Sequence, residues 1–329
     1  MRGSTGQGLT ARAEGEAGMR LISFTVGGEV RPRFGVHLGE RVLDLAESDG
    51  WAERWDRPPA NLVELLAADG PGLERTRAAV APAQDGASGL HPAVEVTLLS
   101  PLLRPPKVIA VGRNYRDHVR EAGVKQPDLP KLFAKYAGSI VGPGAAIVKP
   151  TVTDAVDFEA ELAVVVGRAG EGVAPAEAMR YVAGYSVAND VSARDIQFHD
   201  EQLTLAKNFR TFAPIGPWLV TADEVEDPGR LDIRLWLNDT VMQDSNTADL
   251  VFDIPYLVAF ISTVMDLEPG DVILTGTPAG VGYARTPPVF LRPGDRVRVE
   301  VEGIGVLENP VVAQEPALPF PPSPVTGPA

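Results

Sequence analysis

The feature that most constrains the fold of this chain is an acidic segment that leads straight into an apolar one. Residues 157–161 read DFEAE and run directly into LAVVVG at 162–167, a pattern that indicates a buried strand. On a strand, Glu159 and Glu161 lie on the same face, with their Cα atoms roughly 6.6 Å apart. Carboxylates this close repel each other, and burial adds a desolvation cost to each. A cation bound by both would remove these costs; the alternative is an exposed acidic strand end.

The composition narrows what that cation can be. The 329 residues suit one large domain or two ordinary ones and include no cysteine, which excludes disulfides, thiolate metal sites and cysteine nucleophiles. With only four histidines, the chain favours a hard ion held by oxygen atoms, such as Mg²⁺, Mn²⁺ or Ca²⁺. The net charge of -14 disfavours nucleic acid and anionic membranes as partners.

The ends of the chain carry no apolar segment of membrane-spanning length. Residues 1–18 are polar and glycine-rich without the apolar core of a signal peptide, so we predict a disordered leader, with Met19 as the start of the folded part. Residues 314–329 are rich in proline, and we predict a disordered tail. These features predict a cytoplasmic protein.

Between these ends the pattern predicts two parts, a small N-terminal domain at 19–98 and a larger one at 99–313. Residues 19–45 alternate apolar and polar with glycine turns, residues 60–80 indicate one or two amphipathic helices, and residues 81–93 have the composition of a linker. The larger part is a series of short apolar strands with one clear helix at 253–266. The strands are predicted at 108–112, 162–167, 185–188, 231–237, 272–274 and 297–301.

Three further groups could carry chemistry. His118 and Glu121 stand three residues apart on a predicted helix, where the carboxylate can orient the imidazole and raise its basicity; a charged surface pair is the alternative. Asp190 follows an apolar strand and could converge on the two glutamates, or act as a cap. Lys207 lies among mildly apolar residues, a context that could favour a functional ammonium, although a surface lysine is the default interpretation.

A glycine-rich loop at 275–282 follows the strand at 272–274. Its glycines allow the backbone to approach a small anion closely, and its threonine hydroxyls add donors. The loop lacks the Gly-Lys-Ser/Thr ending of a Walker motif, and no helical pattern follows it, as a dinucleotide site requires. The chain has no Gly-x-Ser-x-Gly element, which disfavours a serine hydrolase.

Taken together, these segments resemble the fumarylacetoacetate hydrolase family over roughly residues 105–312. The matching blocks keep the family's order: 111–115 with His118 and Glu121, 132–135, 142–143, 157–162, 184–195, 207–209, 216–217, 273–282 and 303–305. Many members have proline after the lysine of the second block, whereas here Tyr136 follows Lys135. Residues 287–295 are similar to the subgroup of 2-oxo-acid hydratases, decarboxylases and acylpyruvate hydrolases.

The resemblance implies a mixed, β-dominated α+β fold with a β-roll core and a small N-terminal α+β domain, assembled as a homodimer. It also implies the roles of nine residues. By this likeness the metal ligands are Glu159, Glu161 and Asp190, the water-activating pair is His118 and Glu121, the oxyanion-stabilising residue is Lys207, and the substrate-binding residues are Arg113, Gln243 and Thr277.

The function implied is a metal-dependent hydrolase of small 2-oxo acids. It would cleave a C–C bond in a 2,4-dioxo acid of the acylpyruvate type, giving pyruvate and a carboxylic acid, with Mg²⁺, Mn²⁺ or Ca²⁺ as the ion. The same residues also suit a decarboxylase, or an isomerase or hydratase, of a 2-oxo dicarboxylic acid. A non-catalytic protein that binds dicarboxylates is the alternative from another class.

Overall fold

The computed structural model describes residues 19–68, 71–83, 86–199, 203–316 and 320. The predicted leader at 1–18 and most of the predicted tail therefore lie outside the described residues. Nineteen strands and six α-helices are present in this part of the chain, so the predicted β-dominated α+β fold is confirmed. None of the described helices is long and apolar enough to cross a membrane.

The strands are β1 (Arg20–Val26), β2 (Arg33–Leu38), β3 (Arg41–Asp44), β4 (Leu90–Pro92), β5 (Val96–Leu98), β6 (Val108–Gly112), β7 (Lys131–Lys135), β8 (Ile140–Val141), β9 (Ile147–Lys149), β10 (Val156–Asp157), β11 (Ala160–Val166), β12 (Val182–Asn189), β13 (Ser192–Ala193), β14 (Ala213–Thr221), β15 (Asp232–Leu237), β16 (Thr240–Asn246), β17 (Val272–Leu274), β18 (Arg296–Val301) and β19 (Gly305–Ala313). The α-helices are α1 (Leu62–Ala67), α2 (Pro71–Val80), α3 (Arg116–Glu121), α4 (Arg194–His199), α5 (Leu203–Lys207) and α6 (Ile254–Val264).

Most strands join one large mixed sheet. Its order is β4-β3-β2-β1-β14-β12-β11-β17-β6-β7, with β5 beside β1 and β8 beside β14. A second sheet has the order β16-β15-β18-β19-β9, and β10 pairs with β13. Neighbouring strands are antiparallel except at the pairs β6–β17, β8–β14 and β9–β19.

The N-terminal strands continue the large sheet, because β1 pairs with β14 at Arg20–Val220 and Leu21–Leu219. The division into domains at 19–98 and 99–313 stays a prediction, and the two parts share this sheet. The stretch expected to be a linker contains β4, which forms the sheet edge by pairing with β3. Its composition resembles a linker because an edge strand with one neighbour needs few apolar side chains.

The large sheet is covered on both faces, which explains why β11 is buried at all seven positions. Leu162, Val164 and Val166 pack in a core with the second sheet and α6. The alternating residues Ala163 and Val165 pack on the opposite face in a core that includes α1. Helix α6 begins where the sequence predicts, with the Asp253 side chain accepting a hydrogen bond from the Tyr256 N–H at 2.9 Å.

Candidate active site

The strand register brings three carboxylates together. Glu159 precedes β11, Glu161 lies within it, and Asp190 follows β12, its antiparallel neighbour. The Asp190 N–H donates to the Glu159 carbonyl at 2.9 Å, and the Glu159 N–H donates to Asn189 Oδ1 at 2.9 Å. One carboxylate oxygen from each residue of this triad (Glu159, Glu161 and Asp190) lies within 4.8 Å of the others, and all three side chains are buried.

Three buried cations surround the triad. Lys207 Nζ, at the end of α5, donates to Glu159 Oε2 at 2.8 Å and to Asp190 Oδ2 at 2.7 Å. Lys135 Nζ, at the end of β7, donates to Asp190 Oδ1. Arg194 Nη2, at the start of α4, lies 2.7 Å from Glu159 Oε1. Buried carboxylates require such partners, since an unpaired charge in the interior is strongly unfavourable.

The three cations contact Glu159 and Asp190 but do not pair with Glu161, and the pKa values of the two glutamates therefore shift in opposite directions. Burial alone would raise the pKa of Glu159, but the charges of Lys207 and Arg194 outweigh it and lower the pKa to about 2. The pKa of Glu161 is raised well above its ordinary value by burial and by the charges of Asp190 and Glu159. Its Oε2 accepts one hydrogen bond, from the Gly276 N–H at 2.7 Å. Within the described part of the chain, no lysine or arginine forms an ion pair with Glu161, and the charge of Lys207 only partly offsets the rise of its pKa.

A divalent cation fits this donor set. Three carboxylates with oxygens this close form a hard, anionic site of the kind that Mg²⁺, Mn²⁺ and Ca²⁺ occupy. A cation held by Glu159, Glu161 and Asp190 would supply the positive charge that Glu161 lacks. Within the described residues, the other such cluster is Asp44, Glu47 and His91, where Arg33 already pairs with both carboxylates at 3.0 and 2.5 Å.

His118 and Glu121 form the pair that the sequence predicts. His118 Nδ1 lies 3.2 Å from Glu121 Oε2 on α3, and the imidazole is buried. With its Nδ1–H donating to the carboxylate, the ring leaves Nε2 as the acceptor. The charge of His118 also helps to lower the pKa of Glu159, so the imidazole lies within electrostatic range of the triad.

The glycine-rich loop at 275–282, with Tyr283 directly after it, holds the acidic groups of the site through its backbone N–H groups. Besides the bond to Glu161, the Gly280 N–H donates to Glu121 Oε1 at 2.8 Å. The N–H groups of Gly282 and Tyr283 donate to Asp157 at 2.7 and 3.1 Å. The sequence predicts a loop that binds a small anion; the anions that it contacts here are the protein's own carboxylates.

The three predicted substrate-binding residues have different surroundings. Gln243 is buried: its Oε1 accepts from the Ala160 N–H at 2.8 Å, and its Nε2 donates to Thr277 Oγ1 and to the Pro278 carbonyl, both at 2.8 Å. Thr277 keeps its own hydroxyl proton available. Arg113 is exposed, with a positive φ of 58°, and makes no hydrogen bond or ion pair among the described residues. The role of each in substrate binding stays a prediction.

Three charged residues of the site were not predicted from the sequence: Lys135, Arg194 and Asp157. Asp157 is fully buried and accepts from Arg194 Nε at 2.8 Å, while the Arg194 guanidinium stacks on the Tyr283 ring at 4.6 Å. Each of the three stands inside a block that carries the family resemblance. The available signal for Lys135 was its position directly after the apolar run at 132–134.

Cavity size does not identify this site. A cavity of about 1010 Å³ is lined by Tyr185, Arg116 and residues of the segment 247–256, and contains no carboxylate of the triad. The chemistry of the side chains, rather than the enclosed volume, marks the triad as the candidate site.

Comparison with known proteins places this chain among enzymes. Residues 107–312 match the family profile described as fumarylacetoacetate (FAA) hydrolase C-terminal. The protein named oxaloacetate tautomerase Fahd2a, mitochondrial, from Rattus norvegicus is 42% identical over 297 residues, which cover 89% of this chain and 92% of the relative. The corresponding Homo sapiens protein, oxaloacetate tautomerase FAHD2A, mitochondrial, is 43% identical over 298 residues, with the same coverage of each chain.

Solved structures confirm the fold that the resemblance implies. A structure from Mycobacterium smegmatis matches with a TM-score of 0.79 at 38% identity, covering 90% of this chain and 100% of that chain. Maleylpyruvate hydrolase from Sphingobium sp. SYK-6, in complex with manganese(II) and pyruvate, matches with a TM-score of 0.73 at 34% identity and the same coverage.

The predicted cytoplasmic location is wrong, because the relatives from rat and human are named as mitochondrial proteins. The prediction rested on the lack of an apolar signal peptide and of a membrane-spanning run. Neither absence bears on import into an organelle, because import signals are amphipathic rather than apolar.

Proposed function

This chain belongs to the fumarylacetoacetate hydrolase family, and on that basis we propose that it is a metal-dependent tautomerase of a 2-oxo dicarboxylic acid. Oxaloacetate is the proposed substrate, Mg²⁺ or Mn²⁺ the proposed ion, and the interconversion of enol and keto forms the proposed reaction. The observation that carries the proposal is the triad of buried carboxylates beside the His118–Glu121 pair. The names of the rat and human relatives support the choice of substrate.

The triad supplies the electrostatic half of this chemistry. When bound by Glu159, Glu161 and Asp190, a divalent cation would polarise the 2-oxo group and offset the charge of an enolate. The Lys207 ammonium, fixed between Glu159 and Asp190, adds a second positive charge next to the triad. Positive charge that is already in place when an enolate forms lowers the barrier without reorganisation of solvent.

His118 supplies the proton transfer. Tautomerisation moves one proton from C3 to the 2-oxo oxygen, or back, with no redox change and no attacking water. Glu121 holds the imidazole through Nδ1, so that Nε2 can take the proton from C3 and give it to the 2-oxo oxygen, or carry it in the opposite direction. Because Glu121 is itself held by the Gly280 N–H, the orientation of the imidazole depends on the glycine-rich loop.

The second candidate function is hydrolysis of an acylpyruvate, as first expected from the resemblance. The same His118–Glu121 pair could activate a water molecule for attack on the distal carbonyl. The similarity to maleylpyruvate hydrolase, solved with manganese(II) and pyruvate, supports this alternative. The two functions differ in whether water enters the reaction.

A comparison of two substrates tests the proposal. The purified protein is mixed with enol-enriched oxaloacetate, and loss of the conjugated enol absorbance is followed with Mg²⁺, with Mn²⁺ and with EDTA. In parallel, NMR follows acetylpyruvate for release of acetate and pyruvate. We expect metal-dependent tautomerisation faster than the metal alone, with acetylpyruvate intact. Cleavage of acetylpyruvate without faster tautomerisation would refute the proposal and favour the hydrolase.

A matched pair of variants links any activity to the triad. Glu159→Gln removes a predicted ligand and one partner of Lys207, and we expect the metal-dependent rate to be lost. Glu171→Gln makes the same chemical change at an exposed residue and should leave the rate unchanged. Equal rates in the two variants would separate the activity from the triad.

A further inference from the structure

The side chain of Asn208 joins two segments that each present a buried lysine. Its Oδ1 accepts a hydrogen bond from the Tyr136 N–H at 2.6 Å. Its Nδ2 donates to the Ala134 carbonyl at 3.0 Å and to the Thr204 carbonyl at 2.9 Å. One carboxamide thus connects the end of β7 to the last turn of α5, and satisfies a carbonyl that so short a helix leaves without a partner.

The residues on either side of these bonds are Lys135 and Lys207. Lys135 stands between Ala134 and Tyr136, and Lys207 directly precedes Asn208. Their ammonium groups bind opposite oxygens of one carboxylate, Lys135 at Asp190 Oδ1 and Lys207 at Asp190 Oδ2. The spacing between two like charges across a single carboxylate is therefore set by how β7 and α5 are held together.

Each ammonium group has one further partner, the Val191 carbonyl for Lys135 at 3.3 Å and Glu159 for Lys207 at 2.8 Å, and neither of these bonds joins β7 to α5. The Lys207 ammonium lies 5.2 Å from the centre of the Phe133 ring on β7, a cation–π contact that tolerates sliding over the ring face. The repulsion between the two ammonium groups favours separation of the segments. The three hydrogen bonds of Asn208 oppose that separation, and they have the directionality that the ring contact lacks.

We propose that the Asn208 carboxamide is a positioning clamp for Lys135 and Lys207, through its bonds to the Ala134 and Thr204 carbonyls. The clamp holds the Lys207 ammonium where enolate charge develops, and the effect of Asn208 on the reaction passes through that ammonium rather than through contact with substrate. This role rests on the proposed function. Displacement of a catalytic charge by about 1 Å can cost on the order of 100-fold in rate.

Two substitutions separate the bonds of Asn208 from one another. Asn208→Ala removes all three hydrogen bonds. Tyr136→Pro removes only the N–H that Asn208 accepts, and it gives the lysine–proline pair that many members of the family have. Tyr136→Phe is the matched control, because it keeps the N–H and alters only an exposed hydroxyl group. For each, kcat and KM for enol oxaloacetate, the Kd for Mn²⁺ and the unfolding midpoint are measured.

We expect Asn208→Ala to lower kcat by at least about tenfold, with KM and the Kd for Mn²⁺ little changed. Tyr136→Pro should stay close to the wild type, because the bonds to the two carbonyls remain. A role of Asn208 confined to stability would lower the unfolding midpoint and leave kcat unchanged, and that result would overturn the proposal. An equal loss of kcat in Tyr136→Pro would overturn it as well, because the two carbonyl bonds would then not be the cause.

The unfolding midpoints separate this proposal from the proposed function. If the wild-type protein does not act on enol oxaloacetate, the proposed function fails, and the midpoints then decide on the clamp alone. A midpoint that is lowered in Asn208→Ala and unchanged in Tyr136→Pro would show that the two carbonyl bonds join the segments. Equal midpoints of Asn208→Ala and the wild type would refute the clamp even in an active enzyme.

Discussion

Replacement of Glu161 by glutamine should change the pH dependence of stability in a direction that depends on the metal. Burial and the charges of Asp190 and Glu159 raise the pKa of Glu161 well above its ordinary value of 4.5. In EDTA, the folded protein therefore holds this proton more tightly than the unfolded chain does. The stability contributed by that proton is fully present below pH 4.5 and is lost as the pH rises towards the folded-state pKa.

The size of the effect follows from this linkage. Wherever the pH lies between 4.5 and the folded-state pKa, the metal-free wild type should lose about 1.36 kcal/mol of unfolding free energy per pH unit. Glu161→Gln cannot release that proton, and its stability should fall less over the same range. Glu159 does not contribute to the difference, because its pKa of about 2 keeps it ionised throughout. A divalent ion at 100 times its Kd should stabilise the wild type by about 2.7 kcal/mol.

Urea unfolding of the wild type, Glu161→Gln and the exposed control Glu171→Gln, each at pH 6, 7 and 8 with EDTA or Mn²⁺, provides the measurement. We expect the slopes of the wild type and the control to agree in EDTA, and Glu161→Gln to have a flatter slope and little response to Mn²⁺. Parallel slopes for all three proteins would refute the raised pKa. A full response of Glu161→Gln to Mn²⁺ would show that Glu161 is not a ligand.

Three further substitutions test other parts of the site. His118→Asn should lower kcat for enol oxaloacetate by about 10²- to 10⁴-fold while calorimetry shows an unchanged Kd for Mn²⁺; a normal kcat would remove the imidazole from the reaction. Asp157→Asn should lower the unfolding free energy by about 3 kcal/mol in urea, because it breaks a buried pair with Arg194; a loss below 1 kcal/mol would contradict this reasoning. Gly280→Ala should lower the unfolding free energy by about 1 to 3 kcal/mol, because Gly280 has φ 101° and a Cβ would lie 2.1 Å from the Met242 carbonyl oxygen. Urea unfolding measures this loss, and an unchanged midpoint would mean that the loop relaxes without strain.

Local patterns predicted much of the fold because they depend on residues that are close in sequence. The strand β6 at 108–112 and the start of helix α6 are where the sequence places them. The pairing of β1 with β14 could not be predicted, because it joins residues about 200 positions apart and no local pattern encodes it. Alternation is also weak in β11 and β12, since strands covered on both faces are buried at every position.

The same distinction applies to the site. Glu159 and Glu161 could be recognised as a pair because two residues on one strand face are neighbours by geometry alone. Lys135 and Asp190 lie 55 residues apart, and only the folded chain shows that they form a buried ion pair. Asp190 and Lys207 were candidates from their local context, and the family resemblance supplied their roles. The structure gives the reason for Asp190, since Glu159 and Glu161 lie at the start of β11 and Asp190 lies directly after β12, the antiparallel neighbour of β11.

The balance of buried charge connects the metal to the proposed substrate. Asp157, Glu159, Glu161 and Asp190 face Lys135, Lys207 and Arg194, so the fully ionised set carries one net negative charge, and a proton on Glu161 brings it to zero. Neither state attracts a dianion such as oxaloacetate, and the three cations are already committed to carboxylates. A divalent ion bound by the ionised triad would make the net charge positive and leave the same cations in place. Metal binding should therefore precede binding of an anionic substrate, and a 2-oxo dicarboxylate that binds equally well in EDTA would contradict this order.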